Sequence, residues 1–221
     1  MYKRQRQYDF LPADLGETIE VDKKDFDAPT ETMTTIIPLL YQSGYVTIKG
    51  YDKPTKLYQL ALPNREIRVG LYGSLLPHYL TDKSAKANTT IAKMSVLVKK
   101  GDMDAAFCLL NDFLETVPYC DNTNYEGHWQ QTLYIMFALL TNYSIHVEPH
   151  TAKGRIDITM ETADTIYVME LKFNKSAEEA LAQIEAKHYV DAFKMSGKKV
   201  VKIGLNFSVK DEVNSLEWKI G

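Results

Sequence analysis

Thr165-Ile166-Tyr167-Val168-Met169-Glu170-Leu171-Lys172-Phe173 decides how this chain folds. The run is apolar on both faces over most of its length, so it reads as a central strand covered on both sides. Glu170 and Lys172 interrupt it, two residues apart and therefore on one face. A carboxylate and an ammonium in such a strand are costly unless something pairs with them. They pair with each other, or with a metal and a phosphate.

The preceding run, Gly154-Arg155-Ile156-Asp157-Ile158-Thr159-Met160-Glu161, reads as a second strand. Ile156, Ile158 and Met160 share one face and Asp157 and Thr159 the other. A turn at Thr162-Ala163-Asp164 joins the two runs. Asp/Glu-x-Lys occurs four times, at Asp22, Glu170, Glu185 and Glu217. Only Glu170-Leu171-Lys172 ends a buried strand that directly follows an Asp-bearing one. Two carboxylates from adjacent strands make a hard-oxygen site suited to Mg²⁺ or Mn²⁺, which keep several waters. Such a metal binds a phosphodiester oxygen and acidifies a coordinated water. A nearby Lys orients that water or stabilises developing negative charge.

Outward from this pair, helical spacing predicts helices over 90–100, 102–117 and 125–141, then a strand over Tyr143–Glu148. On the other side come a helix over Ser176–Met195 and strands over Lys199–Phe207 and Ser215–Ile220. Helix, three strands, helix, strand is an α/β order with a mixed sheet. Nearer the start, a helix over Thr34–Gln42, strands Tyr45–Lys49 and Leu57–Leu62, and a helix from Arg65 capped by Asn64 form a small helical and hairpin unit. Residues 6–30 are polar and acidic with no clear period. Residues 81–89 are the expected linker.

Of 221 residues, 45% are hydrophobic and 25% charged, which fits a chain with a folded core and excludes disordered, collagen-like and disulfide-scaffold classes. The longest apolar run, Leu133–Leu140, is far short of the roughly 18–20 residues a membrane helix needs, so no membrane partner is expected. Cys108 and Cys120 read as free thiols of a reducing, cytoplasmic protein. The net charge of −3 places any nucleic-acid contact in a local patch. Lys194, Lys198, Lys199 and Lys202 are candidates for such a patch, with an exposed turn as the plain alternative. Met1-Tyr2-Lys3-Arg4-Gln5 looks like a translated transposon-end adapter, so the natural protein is expected to extend upstream.

Asp157 followed by Glu170-x-Lys172 on the next strand resembles the PD-(D/E)XK nuclease superfamily, with Ile156 in place of the conventional Pro. The closer match is the nuclease domain that follows an AAA-ATPase-like domain in many bacterial proteins. Gln42-Ser43-Gly44-Tyr45-Val46-Thr47-Ile48-Lys49 and Leu62-Pro63-Asn64-Arg65-Glu66-Ile67-Arg68 look like the end of the ATPase-like region. Lys153-Gly154-Arg155-Ile156-Asp157 through Ala180-Leu181-Ala182-Gln183-Ile184 looks like the nuclease.

The resemblance implies a restriction-endonuclease-like α/β core, a mixed sheet flanked by helices, preceded by a winged-helix-like unit. The segments are then 1–80, the remnant of the ATPase-like region; 81–89, a linker; and 90–221, the nuclease-like domain. No GxxxxGK[ST] loop is present, so ATP hydrolysis would lie in an upstream domain missing from this chain.

By position, the resemblance makes Asp157 and Glu170 metal ligands, with the Leu171 carbonyl as a third, and Lys172 the catalytic lysine. Glu126 corresponds to an extra acidic residue on the helix before the sheet. Gln183 corresponds to a glutamine on the following helix, with Tyr189 further along.

Each has a bland rival. Glu170 and Lys172 would otherwise be a structural ion pair, and Asp157 a solvated strand residue. Glu126 would simply start its helix. His128 and Tyr189 would be core, and Gln183 and Lys187 ordinary helix-face residues. The expected function is Mg²⁺- or Mn²⁺-dependent hydrolysis of phosphodiester bonds in nucleic acid, with DNA the expected polymer. The alternatives are a nuclease-fold module that binds nucleic acid or a partner protein without cutting, or a purely structural tail of the upstream domain.

Overall fold

The computed structural model describes residues 15, 18–27, 29, 35–80, 84–117, 126–140, 144–147, 150–151, 154–155 and 157–221. The chain divides into two compact units, residues 1–72 and 73–221.

In the first unit, β1 (Ile19–Val21) and α1 (Lys23–Phe26) fall where the sequence shows no period. They form because Asp22 caps α1, accepting from the Lys24 amide while Asp25 reaches back to the Asp22 amide. After α2 (Ile37–Gln42), strands β2 (Thr47–Asp52) and β3 (Leu57–Ala61) make the expected hairpin. The antiparallel sheet runs in the order β1-β3-β2. Phe26 seals one face of it, edge-on to Tyr41 and Tyr58 at 4.9 and 5.0 Å between ring centroids. Helix α3 (Arg65–Leu80) starts as expected, with Asn64 Oδ1 accepting from the Ile67 amide at 2.9 Å.

The larger unit holds α4 (Ser84–Lys99), α5 (Met103–Leu114) and α6 (Glu126–Ala138). Residues 84–89, expected as linker, are therefore the first turns of α4. Strand β4 (Ser144–Val147) follows, then the two-residue strands β5 (His150–Thr151) and β6 (Gly154–Arg155), which pair with each other. Next come β7 (Ile158–Glu161) and β8 (Thr165–Phe173). The chain ends with α7 (Ala177–Ala186), a 3₁₀ turn (Tyr189–Phe193), β9 (Lys199–Lys210) and β10 (Val213–Ile220).

Five strands form one sheet in the order β10-β9-β8-β7-β4. All neighbours are antiparallel except β8 and β9, whose parallel pairing requires the crossover that α7 supplies. β8 is central, as its two-sided apolar pattern demands. No helix among the described residues is long and apolar enough to cross a membrane.

Two expected elements break. The strand over Gly154–Glu161 divides into β6 and β7, with Asp157 at a bend between them. The helix over Ser176–Met195 stops at Ala186, because His188 adopts φ +52° and no α-helix continues through that conformation.

The side chains of β8 alternate between two unlike layers. Ile166 and Val168 face α7 and pack with Ile184 and Tyr189, with Leu181 and Phe193 beside them. Tyr167, Met169 and Leu171 face the other way, where Ile203, Leu205 and Phe207 of β9 share their side and all are buried. Phe107 of α5 reaches this second layer, 5.8 Å from Trp218 and 6.3 Å from Phe137 of α6.

Gly204 sets how closely α7 approaches the sheet. A Cβ there would lie 2.0 Å from the Ala177 carbonyl oxygen and 2.6 Å from the Leu181 nitrogen. Both are backbone atoms, so only glycine lets the helix seat.

Candidate active site

Glu170 and Lys172 continue the α7-facing side of β8, one step beyond Ile166 and Val168. The apolar layer gives way there to polar groups. Glu170 is 2% exposed. The Lys172 ammonium lies 3.0 Å from its Oε1, and the Gln183 amide of α7 donates to the same oxygen. Oε2 is buried and takes no hydrogen bond among the described residues. Glu170 is therefore held through one oxygen, by an ammonium on its own strand and an amide from the helix above.

Asp157 reaches the same place from β7. Ile158 pairs with Met169, so one further step of the ladder would set Asp157 opposite Glu170. Instead the chain bends, and Asp157 Oδ2 accepts from the Leu171 amide at 2.8 Å. The carboxylate takes the place of a ladder carbonyl. In an extended strand a residue's N–H and C=O point to the same edge, so the Leu171 carbonyl also opens on the Asp157 side. The structure thus brings Asp157, Glu170, Lys172 and Gln183 to the carboxyl end of β8.

Tyr189, read as core, is core and more. It belongs to the apolar cluster and also hydrogen-bonds Gln183. Burial raises its phenol pKa, and the charges of Glu170 and Asp157 raise it further, against the lowering effects of Gln183 and Lys172. The phenol stays protonated near neutral pH and is a permanent hydrogen-bonding neighbour for Gln183.

The loop between β8 and α7 is pinned from β9. Asn206 is buried, accepts from the Lys175 amide and donates to the Lys175 carbonyl, both at 3.0 Å. Ser176 then caps α7, accepting from the Glu179 amide at 3.1 Å. Sequence reading found neither Asn206 nor Gly204. Their roles depend on contacts across more than 20 residues, which no local spacing reveals.

The remaining candidates divide. Glu126 is the first residue of α6, and its side chain lies outside the described residues. His128 is buried and stacks on Tyr79 at 5.4 Å, and burial lowers its pKa to about 4. It is a neutral packing residue at ordinary pH. Lys187 ends α7 as its C-cap. Lys194, Lys198 and Lys202 sit 2.7–2.8 Å from Asp191, Glu161 and Glu185. Among the described residues no three His, Cys, Asp or Glu side chains gather into a metal cluster. The site offers two carboxylates, a set that fits a hard cation retaining several waters.

Residues 124–218 match a family model described as PD-(D/E)XK nuclease superfamily. A protein of Azotobacter chroococcum, described as an uncharacterized protein in the vnfD 5′ region, is 29% identical over 179 residues. The alignment takes in 77% of this chain and 34% of that protein, so the chain spans about a third of the relative's length. The mixed sheet, its crossover helix and the paired carboxylates agree with this match of residues 124–218 to the PD-(D/E)XK nuclease superfamily.

Proposed function

We propose that this domain hydrolyses phosphodiester bonds in nucleic acid, with DNA as the polymer, using a divalent cation held by Asp157 and Glu170. The observation that carries the proposal is the reach of Asp157 onto the Leu171 amide, next to Glu170 and Lys172. A structural ion pair at a strand end would need no second carboxylate beside it.

The Leu171 carbonyl would complete the protein's donor set. A bound Mg²⁺ or Mn²⁺ would supply Lewis acidity toward a phosphodiester oxygen and a water of lowered pKa. Lys172 presents an ammonium that stabilises negative charge developing on the phosphodiester. Gln183 holds Glu170 in its rotamer, and Tyr189 holds Gln183. Residues 1–80 are best read as the end of an ATPase-like region, which agrees with a relative more than twice as long as this chain.

The second reading, a nuclease-fold module that binds without cutting, draws on the Glu170–Lys172 pair, which already balances the buried carboxylate. Calorimetry with Mg²⁺ and Mn²⁺, followed by plasmid nicking in the same samples, separates the two. Asp157→Asn should weaken metal binding and reduce nicking at least 100-fold. Lys172→Met should keep metal binding and lose nicking. Wild-type protein that neither binds metal nor nicks DNA would sink the hydrolase reading and leave the binding module.

A further inference from the structure

We propose a second nucleic-acid contact at the amino end of β8, opposite the candidate active site, that grips the phosphate backbone of the same substrate. This rests on the reading that the domain acts on nucleic acid.

A cavity of about 400 Å³ opens between the α4–α5 turn and the β7–β8 turn, with Lys99, Lys100, Thr162, Asp164, Thr165 and Tyr167 in its wall. The start of β9 adjoins it, since the Lys199 amide donates to the Asp164 carbonyl at 2.9 Å. Lys198 spans the same turn, its ammonium 2.6 Å from the Thr162 carbonyl and 2.8 Å from Glu161. Two separate segments, the α4–α5 turn and the start of β9, therefore deliver lysines to one end of the sheet, in a chain whose net charge is −3.

The charges there are unequal in their engagement. Lys198 is tied to Glu161 and Lys194 to Asp191. Asp164, the acidic group in the wall, accepts from the Thr162 and Thr165 hydroxyls at 3.1 and 3.2 Å. Lys99, Lys100 and Lys199 are exposed and make no ion pair with a described carboxylate. Between Lys194 and Lys198 the turn carries Met195, 97% exposed. An apolar tip among lysines is the composition of a loop that meets the sugars and bases between phosphates. A polyanion is the partner these groups complement.

The span fits a duplex. Thr165 and Lys172 lie seven residues apart on β8, about 23 Å at ~3.3 Å per residue. At ~3.4 Å per base pair that is roughly seven pairs of a duplex laid along the strand. The contact therefore engages only substrates that extend about seven pairs or more to one side of the cut.

Fluorescence anisotropy of a labelled 20-bp duplex, without divalent metal and across a salt series, tests this with the full chain. The variant is Lys99→Ala/Lys100→Ala/Lys199→Ala, all exposed positions outside the candidate active site. Wild type should bind, and the variant should bind at least ten times more weakly. Its slope of log affinity against log salt should be shallower by about 2–3, at roughly 0.9 per lost phosphate contact. An 8-bp duplex should bind the two proteins alike. If wild type and variant bind the 20-bp duplex equally, the contact is wrong while the nuclease reading stands. If wild type binds no duplex and no single strand, both fail together.

Discussion

The two sides of strand β8 differ in what they are built to hold. One side is apolar from Tyr167 to Phe173 and belongs to the layer in which Phe107 of α5 packs on Phe137 of α6 and Trp218 of β10. The other begins apolar at Ile166 and Val168, then turns polar at Glu170 and Lys172 under α7. Among the described residues the buried histidine and the buried carboxylate are His128 of α6, kept neutral by burial, and Glu170, held by an ammonium and an amide. The first side carries stability, and the second gives some of it up to hold charged groups. A strand alternates its side chains whatever they are, so one strand serves both layers without compromise to either.

The largest effect should come from the apolar side. Phe207→Ala removes a ring that is 1% exposed and should cost about 4 kcal/mol by chemical denaturation. Protein that still folds should keep metal binding, since the carboxylates sit in the other layer. Gly204→Ala follows, at about 3 kcal/mol, because the new methyl meets helix backbone rather than a side chain that could turn away. Here nicking should fall further than stability does, as α7 lifts and takes Gln183 with it. Equal losses would mean that the helix height is unimportant to the site.

Lys172→Met should cost about 2 kcal/mol, since it strips a nearly buried carboxylate of its cation. The double change Glu170→Leu with Lys172→Met should recover most of that loss, or exceed wild-type stability. Failure to recover would show that the pair is structural and would erase the contrast between the two sides.

The smallest effect is a pH dependence. The pKa of His128 is lowered from 6.5 to about 4 in the folded protein, so the unfolded chain binds the proton more tightly. Stability is therefore nearly full above pH 6.5 and falls as the pH drops toward 4, by roughly 1.4 kcal/mol at pH 5.5. His128→Gln should flatten that part of the profile, and an unchanged slope would assign it to other groups.

Strand β8 was legible to the residue, because a nine-residue run apolar on both faces has few other places to go. That Glu170 and Lys172 share one face followed from their spacing, while the contact between them is one of the two pairings that spacing leaves open. Asp157 was placed on the right side of its strand, but the bend was hidden, since it exists to let a side chain replace a backbone acceptor. The end of α7 was hidden too. Nothing in Glu185-Ala186-Lys187-His188 forbids helix, and the left-handed His188 directly precedes Tyr189, which packs in the apolar cluster. Gly204 and Asn206 act on residues more than 20 positions away and leave no local trace. The roles of Asp157, Glu170, Lys172 and Gln183 came from resemblance, and their meeting at one point is a property of the fold.

Asp157, Glu170, Lys172 and Gln183 all fall within residues 157–183, a hairpin and the start of its crossover helix. That stretch is short enough to be moved between proteins as one piece. It would not work wherever it was put. The recipient must offer, on the strand beside it, a residue with no side chain where the helix comes down, and in this chain that residue, Gly204, lies outside the piece. Exchange of such a cassette would succeed only between scaffolds that already share the gap.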